Sequence, residues 1–347
     1  MRDPHGGRAL LSQPALQAGI RRMRGSTRGA AGLCHARRPF AGVLAATSLL
    51  MCLAARPAIG QGTAWIAEPG TGTISVSYVN QNAFEFYRGT TTTKGPLEAT
   101  GANLAQNTVW VGFNYALHDA VAVDVQTAWA RSFVEGAVGP AGGRESYSGL
   151  FDTNVAVTWR VVDELISDAP SVAFRVGAII AGGYDTGYIN SLGDGGNGFE
   201  TSLVVAKFWD ALGLSAEVGY RNRGSTEVNP DAVGAAAGEE IDVPADMFFN
   251  MWLFAPLGSR VTLGADYRVV NALSGIDIGG EGFSPSRFPG LEEDAHIVGG
   301  RLLFDLTGSV GANAFFGQVV GGRNTAKSRI FGFGLSFGFG GSFGEGL

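Results

Sequence analysis

Residues Asn107 to Ser132 read NTVWVGFNYALHDAVAVDVQTAWARS, two alternating runs joined by a tight connection at Leu117, His118 and Asp119. In the first run Val109, Val111, Phe113, Tyr115 and Leu117 fall on one face, with Thr108, Gly112 and Asn114 on the other. In the second, Val121, Val123, Val125 and Trp129 share a face opposite Asp124, Gln126, Ala128 and Ala130. Side chains alternate along a strand with period two, so each run has one greasy and one polar side. Each is also about the length of a tilted strand that crosses a bilayer, roughly 9–11 residues.

The same unit recurs down the chain. A first strand spans 71–80, then come strands over 149–160 and 171–182, 199–209 and 212–223, 246–254 and 260–271, 295–305 and 310–320, and a last one over 328–339. With the opening hairpin that makes twelve. Most alternate connections are short, and most of the others are long and rich in Gly. A soluble sandwich has no reason to segregate its long loops in this way. Outer-membrane barrels do, with short periplasmic turns and long external loops. The fold expected is all-β: a 12-stranded antiparallel transmembrane β-barrel, closed so that no strand edge is left exposed.

Composition agrees. Gly is abundant at 54 of 347 residues, charged residues are sparse at 16 %, and long stretches lack a helical period. One continuous apolar segment stands out, FAGVLAATSLLMCLAA from Phe40 to Ala55, preceded by Arg37 and Arg38 and followed by Ala58-Ile59-Gly60. A basic flank, a short apolar core and small residues before the exit describe a cleaved signal peptide. A membrane anchor is the competing reading, but Arg56 and Pro57 interrupt a core already short for a span. Residues 1–60 are therefore read as N-terminal extension and signal peptide, 61–70 as a periplasmic leader and 71–347 as the barrel. Both cysteines, Cys34 and Cys52, fall in the removed part, as do nine of the 25 basic and one of the 31 acidic residues. The remaining 16 basic and 30 acidic residues carry a net charge of −14. An acidic, cysteine-free, exported chain suits the bacterial outer membrane and argues against nucleic acid as a partner.

The faces can be assigned from parity. The lipid-facing set includes Phe151, Val155, Val157 and Trp159; Phe174, Val176 and Ile180; Met247, Phe249 and Leu253; and Val298, Leu302 and Phe304, with no charge among them. A mid-bilayer charge on that face costs about 2–4 kcal/mol. The opposite face collects Asp124, Asp152, Asn154, Arg175, Glu217, Arg221, Asp266, Arg268, Arg301 and Asp305. Mixed charges survive burial only when paired or wet, so these residues are expected to line a lumen. Five of the six tryptophans lie in expected strands, as interfacial girdles require. Lys207 shares parity with Leu203 and Val205, so that strand either bulges or ends near Ala206.

In the final strand Phe331, Phe333, Leu335, Phe337 and Phe339 alternate with Gly332, Gly334, Ser336 and Gly338. This resembles the terminal signal strand of outer-membrane barrels and implies the barrel-assembly machinery as a partner. Residues Asn114 to Val123, NYALHDAVAV, resemble the "YGLTDRLTL"-type turn of the outer-membrane transporters associated with meta-pathway phenol degradation, with Ala116 in place of Gly and Ala120 in place of Arg. That resemblance implies a barrel admitting small hydrophobic or aromatic compounds. The chain is also similar, more distantly, to the long-chain fatty-acid transporter group, whose N-terminal plug would have to fit within residues 61–70.

Chemistry has few candidates. His118 lies in a turn and His296 at a strand start; Ser284 or Ser286, with Glu292, Glu293 or Asp294, would be needed to build a hydrolase around His296. The run from Asp194 through Asn197 to Glu200 lacks calcium-loop spacing, and no phosphate loop, zinc spacing or dinucleotide fingerprint occurs. No cofactor, metal or catalytic residue is expected. The reading is passive movement of small solutes through an outer-membrane barrel, against two alternatives: a plugged barrel with a structural or surface-interaction role, and an outer-membrane lipid hydrolase.

Overall fold

A computed structural model describes residues 63–93, 103–135 and 144–340. The signal-peptide reading and the tail after Gly340 lie outside these residues. The strands are β1 (Thr71–Ala83), β2 (Asn103–His118), β3 (Val121–Glu135), β4 (Arg144–Leu150 continued by Thr153–Val162), β5 (Ser171–Ile180) and β6 (Gly198–Trp209). They continue as β7 (Leu212–Arg223), β8 (Asp246–Leu257), β9 (Val261–Ala272), β10 (Asp294–Asp305), β11 (Val310–Arg323) and β12 (Arg329–Gly340). Each strand pairs antiparallel with its sequence neighbours, and β1 pairs with both β2 and β12. The sheet is a closed twelve-stranded barrel.

Period-two patterning decides which side chains leave the barrel. Val157, Phe174 and Val176 project outward and are exposed, whereas their neighbours Ala156, Ala173 and Arg175 are buried inside. The expected strands run longer at the external end: β1 reaches Ala83, β2 begins at Asn103 and β4 begins at Arg144. Polar side chains there do not end a strand, because the ladder needs only backbone partners and the rim is wet. At the other end β6 runs to Trp209 with no register shift, so the strand neither bulges nor stops near Ala206. Lys207 lies at the rim, and its ammonium reaches the Asp168 carbonyl at 3.0 Å. A long stem carrying its charge to the interface removes the conflict.

Two expectations about faces are corrected. Phe151 does not face lipid: β4 is broken at Phe151 and Asp152, both of which are buried and turned inward. The break lets residues 181–183 press against the strand, where a Cβ on Gly182 would lie 2.1 Å from the Leu150 carbonyl oxygen. Of the five strand tryptophans, Trp129, Trp159 and Trp209 are exposed outside, but Trp110 and Trp252 are buried inside. Both have the inward parity of their strands, so only three serve an outer girdle.

The long loops lie at one end, external in barrels of this type. They are tied together. Asn324, in the left-handed region at φ 50°, accepts the Gly89 and Ile278 N–H groups at 2.9 and 3.1 Å. Its amide donates to Asp277 Oδ1 and the Glu292 carbonyl, both at 2.8 Å. Arg323 clamps the Asp277 carboxylate with two 2.8 Å bonds, and these contacts hold that carboxyl down at a pKa of about 2. Elsewhere in this layer the Thr186 hydroxyl donates to the Glu227 carbonyl at 2.9 Å, and the Leu273 N–H to the Ala245 carbonyl at 2.8 Å.

Candidate functional site

Among the described residues, the inward side chains of β3 to β10 build several charged clusters, three of them near the middle of the barrel wall. Arg175 is 1 % exposed and donates to Asp124 at 2.7 and 3.1 Å, to Asn154 Oδ1 at 3.0 Å and to Glu200. Glu217 accepts the Ser202 hydroxyl at 2.6 Å and the Asn250 amide at 3.1 Å. Asp266 accepts Arg301 at 2.6 Å, with Arg268 at 3.9 Å, and the Arg301 guanidinium lies 5.5 Å from the Trp252 ring centre. Breaking one partner from such a buried pair costs about 3–5 kcal/mol, because the other charge is left uncompensated.

External to the Arg175 cluster is a cavity of about 80 Å³, open to solvent at its mouth. Its apolar wall includes Trp110 and Phe151, packed edge to face with ring centres 5.2 Å apart, and Ile179, Val270 and Leu291. Its polar wall carries Arg221, which grips Asp246 at 2.9 and 3.0 Å, and Arg223, which is bonded to Asp152. Asp152 also accepts the Tyr184 hydroxyl at 2.7 Å, while Tyr184 accepts the Gly195 N–H at 2.9 Å. Burial and the adjacent Asp152 carboxylate push the Tyr184 phenol well above its ordinary pKa, so it stays a proton donor.

The periplasmic part of the lumen is different. Residues 63–69 join no strand, and Thr63 to Ile66 are buried. Ala64, Trp65 and Ile66 pack in one cluster with Phe208, Phe254 and Leu303, all inward residues of the barrel wall. Trp65 meets Phe254 edge to face at 5.8 Å, and its indole N–H donates to Glu164 Oε1 at 2.6 Å. Glu164 is the one buried residue of the turn 163–170, which otherwise stays at the surface; its other oxygen accepts the Phe208 N–H at 3.0 Å. The stretch read as a periplasmic leader thus enters the barrel as a short stopper.

The nine residues expected from parity to line a lumen form separate clusters rather than one ring. Asp124 joins Arg175; Asp266 joins Arg301 and Arg268; Asp152, Glu217 and Arg221 each pair elsewhere, and Asp305 lies half-buried near the periplasmic rim. Sequence reasoning missed Arg223 and Asp246 and weighed Glu200 only as a calcium ligand, although parity on β6, β7 and β8 marks all three as inward. It also missed Trp65 and Glu164, which carry no parity because neither lies in a strand. Asp194, Asn197 and Glu200 do not converge: Asn197 accepts the Ala181 N–H at 2.9 Å while Glu200 binds Arg175. His296 is paired with the Tyr267 hydroxyl at 3.1 Å, and Ser284 and Ser286 bond each other at 2.7 Å.

No protein-family model matches the chain, and no curated protein matches it. Among solved structures it is similar to an outer membrane channel from Pseudomonas putida F1, with TM-score 0.61 and 12% identity over 78% of this chain and 96% of that one. The fold is an outer-membrane β-barrel. Looser likenesses are the translocator domain of the autotransporter NalP from Neisseria meningitidis, at TM-score 0.47 and 12% identity over 95% and 99% of the two chains. The Pseudomonas putida toluene transporter TodX follows at TM-score 0.38 and 9% identity over 79% and 90%. In the barrel frame, the lumen runs from the loop-roofed cavity, past the Arg175 cluster, to the Trp65 stopper.

Proposed function

We propose that this barrel is an outer-membrane channel through which small, hydrophobic or aromatic solutes move by passive diffusion. The observation that carries the reading is the external cavity, whose aromatic and aliphatic wall faces a wall of paired charges. A nonpolar solute gains by leaving water for Trp110, Phe151 and Val270, at roughly 25 cal/mol per Å² of apolar surface covered. The charges opposite keep their partners, so the solute is not asked to break them. The Pseudomonas putida F1 barrel of the same fold is an outer membrane channel, and that role suits this chain.

Export through a cleaved signal peptide and recognition by the assembly machinery belong to the same proposal. Phe331, Phe333, Leu335, Phe337 and Phe339 are all exposed on the outer face of β12, the strand that closes onto β1. They present one continuous hydrophobic stripe to a partner or to lipid.

The Trp65 stopper favours a second reading, a structural barrel that never opens. Reconstitution into planar bilayers and into vesicles loaded for phenol or toluene uptake separates the two. The channel reading expects solute uptake by the full protein, and an ion selectivity that shifts in Arg221→Ala. Absence of uptake and conductance in the full protein and in a variant lacking residues 63–67 would establish the structural barrel instead.

A further inference from the structure

The pocket that holds Trp65 has the make-up of a ligand site. Its walls are the rings of Phe208, Trp252 and Phe254 and the side chain of Leu303, all less than a tenth exposed. The rings are mutually packed, with Trp252 and Phe254 centres 4.2 Å apart and Phe208 and Phe254 centres 5.9 Å apart. At one edge lies a single acceptor, the Glu164 carboxylate, fixed by the Phe208 N–H and with Lys207 at 3.8 Å. The occupant is a flat aromatic ring with one N–H donor, delivered by a segment that belongs to no strand.

We propose that Trp65 is a tethered stand-in for the solute, and that its pocket is an aromatic-binding site at the periplasmic exit. The ligand class is a one- or two-ring aromatic carrying a single O–H or N–H donor, of the phenol or indole kind. Such a molecule satisfies the same two requirements as Trp65: a ring packed edge to face on Phe254 within the cluster that includes Trp252, and a donor for Glu164. A simple hydrocarbon fills the walls but leaves Glu164 Oε1 without the donor that Trp65 supplies, which disfavours it. A solute that has entered the lumen competes with Trp65, expels the leader and thereby opens its own exit. This deepens the channel reading and rests on it for the word exit; the site itself is testable without transport.

The test is binding of indole, phenol and toluene by equilibrium dialysis to the full protein, to Trp65→Ala and to Trp65→Ala combined with Glu164→Gln. Folding of each variant is checked by heat-modifiable migration on gels. Removing the tethered ring should raise indole and phenol affinity at least tenfold over the unsubstituted protein. Toluene should gain several-fold less, and Glu164→Gln, which keeps an acceptor but loses the charge, should reduce the preference for donors several-fold. Trp65→Phe, which keeps a ring and loses the donor, should be displaced by indole more readily than Trp65 and serves if the alanine variant does not fold. Equal indole binding with and without Trp65, or equal gains for toluene and indole, would overturn the site. Indole binding that behaves as expected in a protein that never conducts would retire the channel reading and keep the site.

Discussion

The two halves of the lumen are lined in different ways. On the external side, the cavity is walled by strand residues and roofed by loops that are hydrogen-bonded to one another, with Asn324 joining three segments. On the periplasmic side, the filling is a segment outside the sheet, anchored by one aromatic ring and one carboxylate. The external architecture cannot be removed without unfolding part of the barrel. The periplasmic closure can, because no ladder hydrogen bond runs through it. A barrel built this way would keep its scaffold energetically separate from a gate formed by the leader.

The largest effect that can break this comparison is at Arg175. Arg175→Met leaves Asp124 and Glu200 buried beside a nonpolar side chain and should cost about 3–5 kcal/mol, read as a lower urea midpoint in lipid vesicles. A loss under about 1 kcal/mol, the range of exposed pairs, would mean that the cluster is wet and not part of the scaffold. Next come Phe254→Ala and Trp65→Ala, which remove ring partners from the same contact. Phe254 belongs to the wall, and its truncation should cost about 3–5 kcal/mol. The cost of losing Trp65 is capped by whatever free energy holds the leader in place, so its urea midpoint should move far less. Equal shifts would show that the leader is as integral as a strand.

The smallest effect concerns the external roof. The carboxyl of Asp277 is held at about 2 by Arg323 and Asn324, below the ordinary carboxylate value. Its stabilising contribution is therefore complete above the ordinary value, near 4, and is lost as pH falls through about 2. Asp277 is partly exposed, so water screens the pair and the effect stays local. Asp277→Asn at neutral pH should speed hydrogen exchange at the Gly89 and Ile278 amides while leaving the strand amides of β9 and β10 unchanged. Unchanged exchange at both loop amides would show that Asn324 holds the roof without help from the ion pair.

Much of the scaffold was legible because a barrel strand declares itself by period two. The parity that put Val157 outside and Arg175 inside is the parity seen, and β7 runs over the residues expected, 212–223. Trp110 and Trp252 were legible too, since each shares parity with an inward set, but the frequency of tryptophan at interfaces points the other way. Phe151 was not, because the break in β4 turns two consecutive residues inward and no local pattern announces it. Strand ends at the external rim were underestimated where Asn and Gln replace apolar residues beyond the hydrocarbon layer. The stopper was least legible of all: Trp65 and Glu164 lie 99 residues apart, in a leader and a turn, and only closure of the barrel brings them together.

The separation of scaffold from gate is tested most directly by single-channel conductance of the refolded full-length protein beside a variant lacking residues 63–67. The account predicts a barrel of unchanged thermal stability whose conductance rises several-fold once the segment is gone. Conductance that stays the same in a correctly folded deletion variant would contradict it, since the Trp65 segment would then not be what closes the periplasmic end.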